Sequence, residues 1–163
     1  MKYVIISDIH DNIPNLEKCL NWCKKEGIEQ MICCGDVANI DTVAYLSKNF
    51  PGTIYLVRGN ICNYEDQEVA QFENIQYFGQ IGYLTVNNMQ IGLCHEPYLI
   101  EKVLEKPCQI VFHGHTHKPW IAERKGAKEI NPGALSGLYY DVAIFAVWEP
   151  ENGKIELKRI EEI

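Results

Sequence analysis

The sequence lacks both a cluster of basic residues and a long apolar run, and each absence excludes a class of function. Lys and Arg number 15 against 22 Asp and Glu, so the formal net charge is −7. Because proteins that bind polyanions normally carry a basic face, this balance argues against nucleic acid as a partner. No apolar segment approaches the ~20 residues that a membrane span requires, so no membrane association is expected.

We expect neither a secretory leader nor a disulfide framework from this sequence. Residues 1–6 are too few for a signal peptide before the polar Asp8, and they favour a first strand instead. The cysteine count of seven is odd. Without a secretory signal, these cysteines favour free thiols buried in a reducing compartment. We therefore expect a cytoplasmic protein.

Linkers, internal repeats and low-complexity segments are absent as well. A length of 163 residues suits one compact domain, and 47% hydrophobic residues suffice for a sizeable core. We therefore expect one domain over residues 1–163.

The first half of the chain alternates apolar strands with amphipathic helices. Three runs are typical of strands covered on both faces: residues 2–7, 28–34 and 53–57. One helix is predicted to begin at Asn12 and Pro14 and to end at Gly27, and a shorter one to span residues 40–48. This β-α-β-α-β order predicts a parallel sheet with right-handed crossovers.

The second half changes to short strands joined by tight turns. Hairpins are predicted for three pairs of segments: 81–86 with 89–94, 119–124 with 127–130, and 141–148 with 154–160. A helix over residues 97–106 and a strand over 109–112 follow the first hairpin. We therefore expect a second, mostly antiparallel sheet that packs on the first.

Potential metal ligands follow the predicted strands. All five histidines fall in three short segments: His10, His95, and His113, His115 and His117. Two of these segments directly follow a strand, as do Asp8, Asp36 and Asn60 elsewhere. Because ligands gather at the carboxyl ends of strands in open α/β sheets, we expect five strand ends to converge on one point.

The residue types and their spacing indicate a metal site. Asp8 and His10 are two residues apart, and on an extended chain such side chains point the same way; His115 and His117 share that spacing. Imidazoles, carboxylates and one amide suit borderline divalent metals. The leading hypothesis is a two-metal phosphoesterase that acts on a small phosphorylated substrate.

Five motifs in this order resemble the pattern of the calcineurin-like metallophosphoesterases: Asp-x-His at 8–10, Gly-Asp at 35–36, Gly-Asn at 59–60, the lone His95, and Gly-His-Thr-His at 114–117. The short chain and Asn-Pro-Gly at 131–133 resemble the small bacterial and archaeal phosphodiesterases of that family. The resemblance implies an α/β fold in which two mixed β-sheets pack as a sandwich flanked by helices. That fold agrees with the strand pattern.

By position, the resemblance implies two metals that share one carboxylate. One metal would be held by Asp8, His10, Asp36 and His117. The other would be held by Asp36, Asn60, His95 and His115, with Asp36 bridging. Such mixed ligands admit Mn, Fe, Zn, Co or Ni, and Mn²⁺ is favoured because the family commonly works with it. His113 matches no ligand position and is interpreted as a hydrogen-bonded residue near the site.

The candidate catalytic residues are Asp36, Asn60 and Arg58. Two cations about 3.5–4 Å apart would lower the pKa of a water between them, and the resulting metal-bridging hydroxide would attack phosphorus. Asn60 and Arg58 are placed to contact the phosphate, although Arg58 could equally pair with a carboxylate.

The sequence departs from the family pattern after Gly-Asn. Many members continue with His-Glu or Cys-Asp, whereas this chain has Ile61 and Cys62. The histidine of such members helps to protonate the leaving group or to stabilise the transition state, and Ile61 can do neither. Such help is worth about 10²–10⁴-fold, so we expect slow turnover of poor leaving groups. Asp11 replaces a frequent Gly and is interpreted as a cap of the following helix.

Two alternatives to a phosphodiesterase remain open. The first is a phosphomonoesterase. The second is a metal-binding scaffold for protein interactions, similar to the retromer subunit that shares this fold but has lost ligands and catalysis. The full ligand set argues against the scaffold, and the missing histidine after Asn60 favours it. Residues 138–140 are interpreted as strand-edge aromatics, the alternatives being a wall over the substrate or a contact in a homo-oligomer.

Overall fold

The computed structural model describes residues 1–163, which form eleven strands and several helices. The strands are β1 Tyr3–Ile6, β2 Gln30–Cys33, β3 Thr53–Leu56, β4 Ile75–Tyr77, β5 Ile81–Val86, β6 Met89–Cys94, β7 Ile110–Phe112, β8 Trp120–Arg124, β9 Ala127–Asn131, β10 Ile144–Glu149 and β11 Lys154–Arg159. The α-helices are α1 Ile13–Glu26, α2 Ile40–Asn49, α3 Asp66–Val69 and α4 Ile100–Val103. Two 3₁₀ helices span Pro97–Leu99 and Ile160–Glu162.

The first sheet has six strands in the order β11-β10-β1-β2-β3-β4. Strands β1 to β4 pair in parallel, as the alternation of strands and helices predicts. Strand β4 is too short to have been recognised from the sequence. Strand β10 pairs antiparallel with β1 and carries β11 with it. The sheet is therefore mixed.

The second sheet has five strands in the order β5-β6-β7-β9-β8. Its two hairpins, β5 with β6 and β8 with β9, are antiparallel as predicted. Strand β7, however, pairs in parallel with both β6 and β9, so the expectation of a mostly antiparallel sheet is wrong. The third predicted hairpin, β10 with β11, belongs to the first sheet and not to the second as expected. Residues 144–148 are buried throughout and therefore need cover on both faces.

The first sheet separates the two larger clusters of the core, and a smaller third cluster packs α4 on the second sheet. Alternate side chains of a strand point to opposite faces, so Val4 and Ile6 pack on the helix side of the first sheet. Tyr3 and Ile5 face the second sheet, where they join Trp148. The result is the expected sandwich of two mixed sheets with flanking helices, in which both sheets contribute strand ends to one edge.

The helix boundaries follow local chemistry. The side chain of Asn12 accepts a hydrogen bond from the backbone N of Asn15 at 3.1 Å, and Gly27 ends α1 with a φ of 65°. The helix predicted over residues 97–106 is shorter, since only a 3₁₀ turn and the residues of α4 are helical.

All seven cysteines are free thiols. Five are buried, and burial raises the pKa of Cys33 to about 12. This agrees with the expectation of buried thiols without a redox role. None of the helices has the length and apolarity that crossing a membrane would require.

Candidate metal centre

The polar residues singled out in the sequence meet at one edge of the sandwich. Asp8 and His10 follow β1, Asp36 follows β2, and Asn60 follows β3. The second sheet supplies His95 after β6, and His115 and His117 after β7. The convergence of five strand ends is therefore present in the structure, and it draws on both sheets.

The backbone that presents these side chains is not extended. Asp8, His10, His115 and His117 have φ values of 54°, 46°, 70° and 60°. The expectation that residues two apart converge is right for Asp8 and His10 and wrong for His115 and His117, whose rings turn to different neighbours, Asn60 and Asp8. The assumed cause, an extended chain, is wrong for both pairs. Such left-handed residues cost about 1–3 kcal/mol each and cluster at functional sites. Backbone bonds from Ile9 and His10 to the Asp36 carbonyl, at 2.9 and 3.0 Å, hold the first loop in place.

One group of potential ligands surrounds Asp8. The Nε2 atom of His117 lies 3.2 Å from Asp8 Oδ1 and 3.2 Å from His10 Nε2. His10 Nε2 is 3.8 Å from the same carboxylate oxygen. These three side chains can offer one ligand atom each within 4.8 Å of one another.

A second group surrounds Asn60. The Oδ1 atom of Asn60 lies 3.0 Å from His95 Nε2 and 2.9 Å from His115 Nδ1. Because all four side chains around this point carry lone pairs, the amide oxygen, two imidazoles and the Asp36 carboxylate could all turn toward one cation. The carbonyl of Cys34 accepts a hydrogen bond from His95 Nδ1 at 2.7 Å, which orients the ring and leaves Nε2 toward the site.

Asp36 lies between the two groups. Its Oδ2 atom is 3.7 Å from His10 Nε2 in the first group and 3.2 Å from His95 Nε2 in the second. Its Oδ1 atom accepts a hydrogen bond from the backbone N of Ile61 at 2.7 Å, which fixes the carboxylate plane. The side chain is thus held in a position from which it could bridge two cations.

The electrostatics of the centre fit divalent cations. Asp8 is fully buried, and its Oδ1 accepts no hydrogen bond. Burial would raise the pKa of Asp8, but the imidazoles of His10 and His117 outweigh it and hold the pKa well below its usual range. A buried carboxylate oxygen without a hydrogen-bond partner is costly. A cation beside this oxygen would satisfy it.

Gly59 provides the space that Asp36 occupies. A Cβ atom at Gly59 would collide with the Oδ1 atom and the backbone N of Asp36. We therefore expect Gly59→Ala to displace the Asp36 carboxylate and to weaken Mn²⁺ affinity at least about tenfold, as loss of an orienting contact does. Calorimetric titration of the metal-free protein checks this. Unchanged affinity in a folded variant would show that the close approach has no role in metal binding.

Arg58 is not part of the cluster. Its guanidinium pairs with Asp66, which also accepts a hydrogen bond from the Tyr77 hydroxyl at 2.7 Å. Of the two alternatives weighed for Arg58, pairing with a carboxylate is the one that the structure contains. The side chain is partly exposed and lies two residues before Asn60.

Asp11 and residues 138–140 depart from their expected roles. Asp11 does not cap α1; it accepts hydrogen bonds from the backbone N of Asn39 at 3.1 Å and from Thr42 Oγ1 at 2.6 Å, and so fixes the start of α2. Residues 138–140 are not on a strand edge but in the loop between β9 and β10. There the Tyr139 ring packs edge-on against His117, with centroids 4.9 Å apart.

Two backbone contacts at the centre could not be predicted from the sequence. The Leu138 carbonyl lies 3.4 Å from His117 Nδ1, and the backbone N of His115 donates to Asp8 Oδ2 at 3.1 Å. Any residue type could supply these groups, so only the folded chain identifies them. His113, in contrast, faces the buried Glu129 at 3.3 Å.

Buried carboxylates, imidazoles and an amide at the shared edge of a two-sheet α/β sandwich define a metal-dependent phosphoesterase. The chain belongs to the calcineurin-like phosphoesterase superfamily, because the sequence profile of the calcineurin-like phosphoesterase superfamily domain matches residues 1–153. The family depends on divalent metals, and the ligand groups described above fit that dependence.

Known proteins share the sequence and the fold. The chain is 24% identical over 162 residues to Phosphodiesterase MJ0936 of Methanocaldococcus jannaschii, with 93% of this chain and 95% of that protein covered. The structure of an archaeal phosphodiesterase superposes with a TM-score of 0.87 at 22% identity, over 98% of this chain and 99% of the other. Vps29 from Entamoeba histolytica, solved with Zn²⁺, superposes with a TM-score of 0.69 at 18% identity, over 98% of each chain.

Proposed function

We propose that this protein is a dinuclear phosphodiesterase that hydrolyses a small phosphodiester. One observation carries the proposal: the Asp36 carboxylate lies within 3.7 Å of an imidazole in each of two ligand groups. A single cation would not need both groups of ligands, so the second group, with its own amide and imidazoles, supports a second cation. Phosphodiesterase MJ0936, a relative along almost the whole chain, supports the reaction class.

The proposed ligands follow the two groups. The first cation would be held by Asp8, His10, Asp36 and His117, and the second by Asp36, Asn60, His95 and His115. Mn²⁺ is the favoured metal, because imidazole and oxygen ligands in this mixture accept it and neither thiolate nor thioether is present among them. The free thiols also favour a location in the cytoplasm.

The residues of the chain have separate tasks in this proposal. Two bound cations would supply an activated water and would neutralise charge on the phosphoryl group. Asp36 would be the ligand that the two cations share. Asn60 would contact a phosphoryl oxygen, and so would Arg58, two residues before it in the sequence, by leaving its partner Asp66. The buried walls around Asp8 and His95 exclude bulk water from the first contacts.

The absence of an acid favours a diester with a good leaving group. The position after Asn60 is occupied by Ile61, which is 44% exposed and has no proton that it could donate to a leaving group.

Hydrolysis of paired aryl esters tests the proposal. Chelator-stripped protein refilled with Mn²⁺ is expected to cleave bis-p-nitrophenyl phosphate faster than p-nitrophenyl phosphate. The two substrates release the same phenolate, so the ratio reports diester against monoester preference. Faster cleavage of the monoester would replace the proposal with a phosphomonoesterase.

The proposed phosphate contact of Arg58 has a matched control. Arg58→Ala is expected to raise KM for the diester about tenfold with little change in kcat, because a charged hydrogen bond contributes roughly 1.5–3 kcal/mol. Asp66→Asn removes the same ion pair but keeps the guanidinium, so it should leave KM unchanged or lower it. Equal KM increases in both variants would show that Arg58 is only structural.

A metal-binding scaffold is the second candidate. Two observations favour it: the fold is shared with Vps29, which was solved with Zn²⁺, and Ile61 lacks acid function. Under this alternative the protein would bind two metals tightly and hydrolyse neither aryl ester above the background of a variant without Asp36.

A further inference from the structure

The loop between β7 and β8 contains a strained turn of three residues around His115. The backbone N of Thr116 donates to the Gly114 carbonyl at 2.9 Å, and His115 between them has a φ of 70°. A hydrogen bond between residues i and i+2 around a central residue of positive φ defines the strained form of the γ-turn, which is rare. Such strain persists only where surrounding contacts hold the backbone in place.

The side chain of Asn131, at the end of β9, holds this turn on both sides of His115. Its Nδ2 atom donates to the Gly114 carbonyl at 2.8 Å and to Thr116 Oγ1 at 3.0 Å. Asn131 is only 1% exposed. Because unpaired polar groups are costly in the interior, a buried amide is held firmly to partners of this kind.

Gly133 fixes the orientation of the Asn131 amide. Its backbone N donates to Asn131 Oδ1 at 2.8 Å. Because a backbone N–H can only donate, the amide oxygen must face Gly133 and the two N–H donors must face the loop. Gly133 has a φ of 86°, and a Cβ atom there would lie 2.2 Å from Ile144 Cγ2. The Asn-Pro-Gly segment thus presents an amide, the side chain that combines one acceptor with two donors.

The turn divides the two histidines of the loop between the two ligand groups. His115 Nδ1 lies 2.9 Å from Asn60 Oδ1, whereas His117 Nε2 lies 3.2 Å from Asp8 Oδ1. On an extended segment, side chains two residues apart would point the same way and meet one group. The separation of the two rings therefore depends on the backbone that Asn131 holds.

We propose that Asn131 is a positioning residue of the metal centre, which holds the turn at His115 and so directs one histidine of the loop to each cation. This inference rests on the proposed function, because it assumes a cation at each ligand group. The effect of Asn131 is indirect, since its side-chain hydrogen bonds go to Gly114, Thr116 and Gly133 and to none of the proposed ligands.

Titration of Mn²⁺ into the metal-free protein, followed by calorimetry, tests the positioning role without catalysis. Asn131→Ala is expected to weaken metal affinity about 10–100-fold, as removal of an orienting contact does. Both binding events should weaken, because the loop supplies one ligand to each group. Unchanged affinity, or weakening of only one binding event, would overturn the inference.

Thr116 offers a milder pair of variants at an exposed position, which keeps the test decisive where Asn131→Ala does not fold. Thr116→Val keeps the shape of the side chain but removes the hydroxyl that accepts from Asn131, so affinity should fall about fivefold, the effect of one hydrogen bond. Thr116→Ser keeps the hydroxyl and should bind Mn²⁺ as the wild type does. Equal affinities of the two Thr116 variants would contradict the positioning role.

The Thr116 hydroxyl has further contacts that a double variant takes into account. It lies 3.4 Å from both the backbone N and the carbonyl of Lys118. If the hydroxyl acts through Asn131, Thr116→Val should cause no further loss of affinity in the Asn131→Ala background. A full additional fivefold loss there would assign the effect to Lys118 and count against Asn131.

Asn74→Ala separates positioning from stability. Asn74 Nδ2 donates to the carbonyls of Ser47 and Phe50, both at 3.0 Å. These contacts lie before β3 and β4, at the opposite end of the strands from the metal centre. The variant should therefore lower the thermal midpoint of the metal-free protein but leave Mn²⁺ affinity unchanged. An equal loss of affinity in Asn74→Ala and Asn131→Ala would reduce the role of Asn131 to stability.

Affinity and hydrolysis together distinguish this inference from the proposed function. Mn²⁺ binding without hydrolysis in the wild type, weakened in Asn131→Ala, would support the positioning role and remove the phosphodiesterase. Hydrolysis by the wild type with unchanged affinity in Asn131→Ala would leave the phosphodiesterase intact and remove the positioning role. A wild type that binds no Mn²⁺ would overturn both.

Discussion

Asp36→Asn is expected to lower the rate of metal-dependent diester hydrolysis by about 10³-fold or more. A neutral amide cannot balance the charge of two cations or bridge them as a carboxylate does. Removal of one electrostatic contact in an active site already costs about 10²–10³-fold, and Asp36 contacts both ligand groups. Steady-state rates with bis-p-nitrophenyl phosphate measure the loss.

This loss should not come from global unfolding. Burial raises the pKa of Asp36, but the hydrogen bond and charge of His95 and the hydrogen bond from the backbone N of Ile61 outweigh it, so the pKa is lowered and the ionised carboxylate stabilises the fold. An amide at position 36 can still accept from the backbone N of Ile61 but loses its charge beside His95. The metal-free variant should therefore melt at a somewhat lower temperature than the wild type and remain folded at the assay temperature. Asp41→Asn, an exposed change in the first turn of α2, is the control and should retain full activity. Full activity in Asp36→Asn as well would refute the bridging role.

Ile61→His is expected to accelerate cleavage of poor leaving groups by roughly 10²-fold, the low end of general acid catalysis. The position follows Asn60 directly, and its backbone N donates to Asp36 Oδ1. A histidine there could protonate a departing oxygen. Diphenyl phosphate, which releases unsubstituted phenol, should gain most, whereas bis-p-nitrophenyl phosphate should gain little because nitrophenolate needs no proton.

Ile61→Gln separates acid catalysis from a change of polarity. Glutamine is similar in size to histidine and donates hydrogen bonds, but it does not titrate near neutral pH. An equal gain in both variants would point to polarity, and no gain in either would show that the chain is not limited by leaving-group protonation.

The sequence predicts the strand ends well because buried parallel strands are short apolar runs that stop at polar residues. Residues 2–7, 28–34 and 53–57 contain β1, β2 and β3, and the hairpin 81–86 with 89–94 coincides with β5 and β6. Once these strands are placed in a sandwich, the motifs that follow them share one edge. The sequence alone therefore identifies the potential ligands.

Other features depend on contacts that a linear pattern does not contain. Nothing local assigns β10 and β11 to the first sheet, since that choice depends on the free edge of β1. The left-handed backbone at Asp8 and His117 is imposed by loop packing rather than by residue type. The sequence does not identify Asp66 as the partner of Arg58, because the two residues are eight positions apart across an irregular segment.

The most direct measurement is the rate of bis-p-nitrophenyl phosphate hydrolysis as Mn²⁺ is added back to chelator-stripped protein, with bound metal counted in the same samples. Two ligand groups that share Asp36 imply that the rate rises until two ions are bound per chain and then stays constant. A plateau at one bound ion would contradict the dinuclear centre. Two bound ions without hydrolysis above the Asp36→Asn background would contradict the enzyme and favour the scaffold.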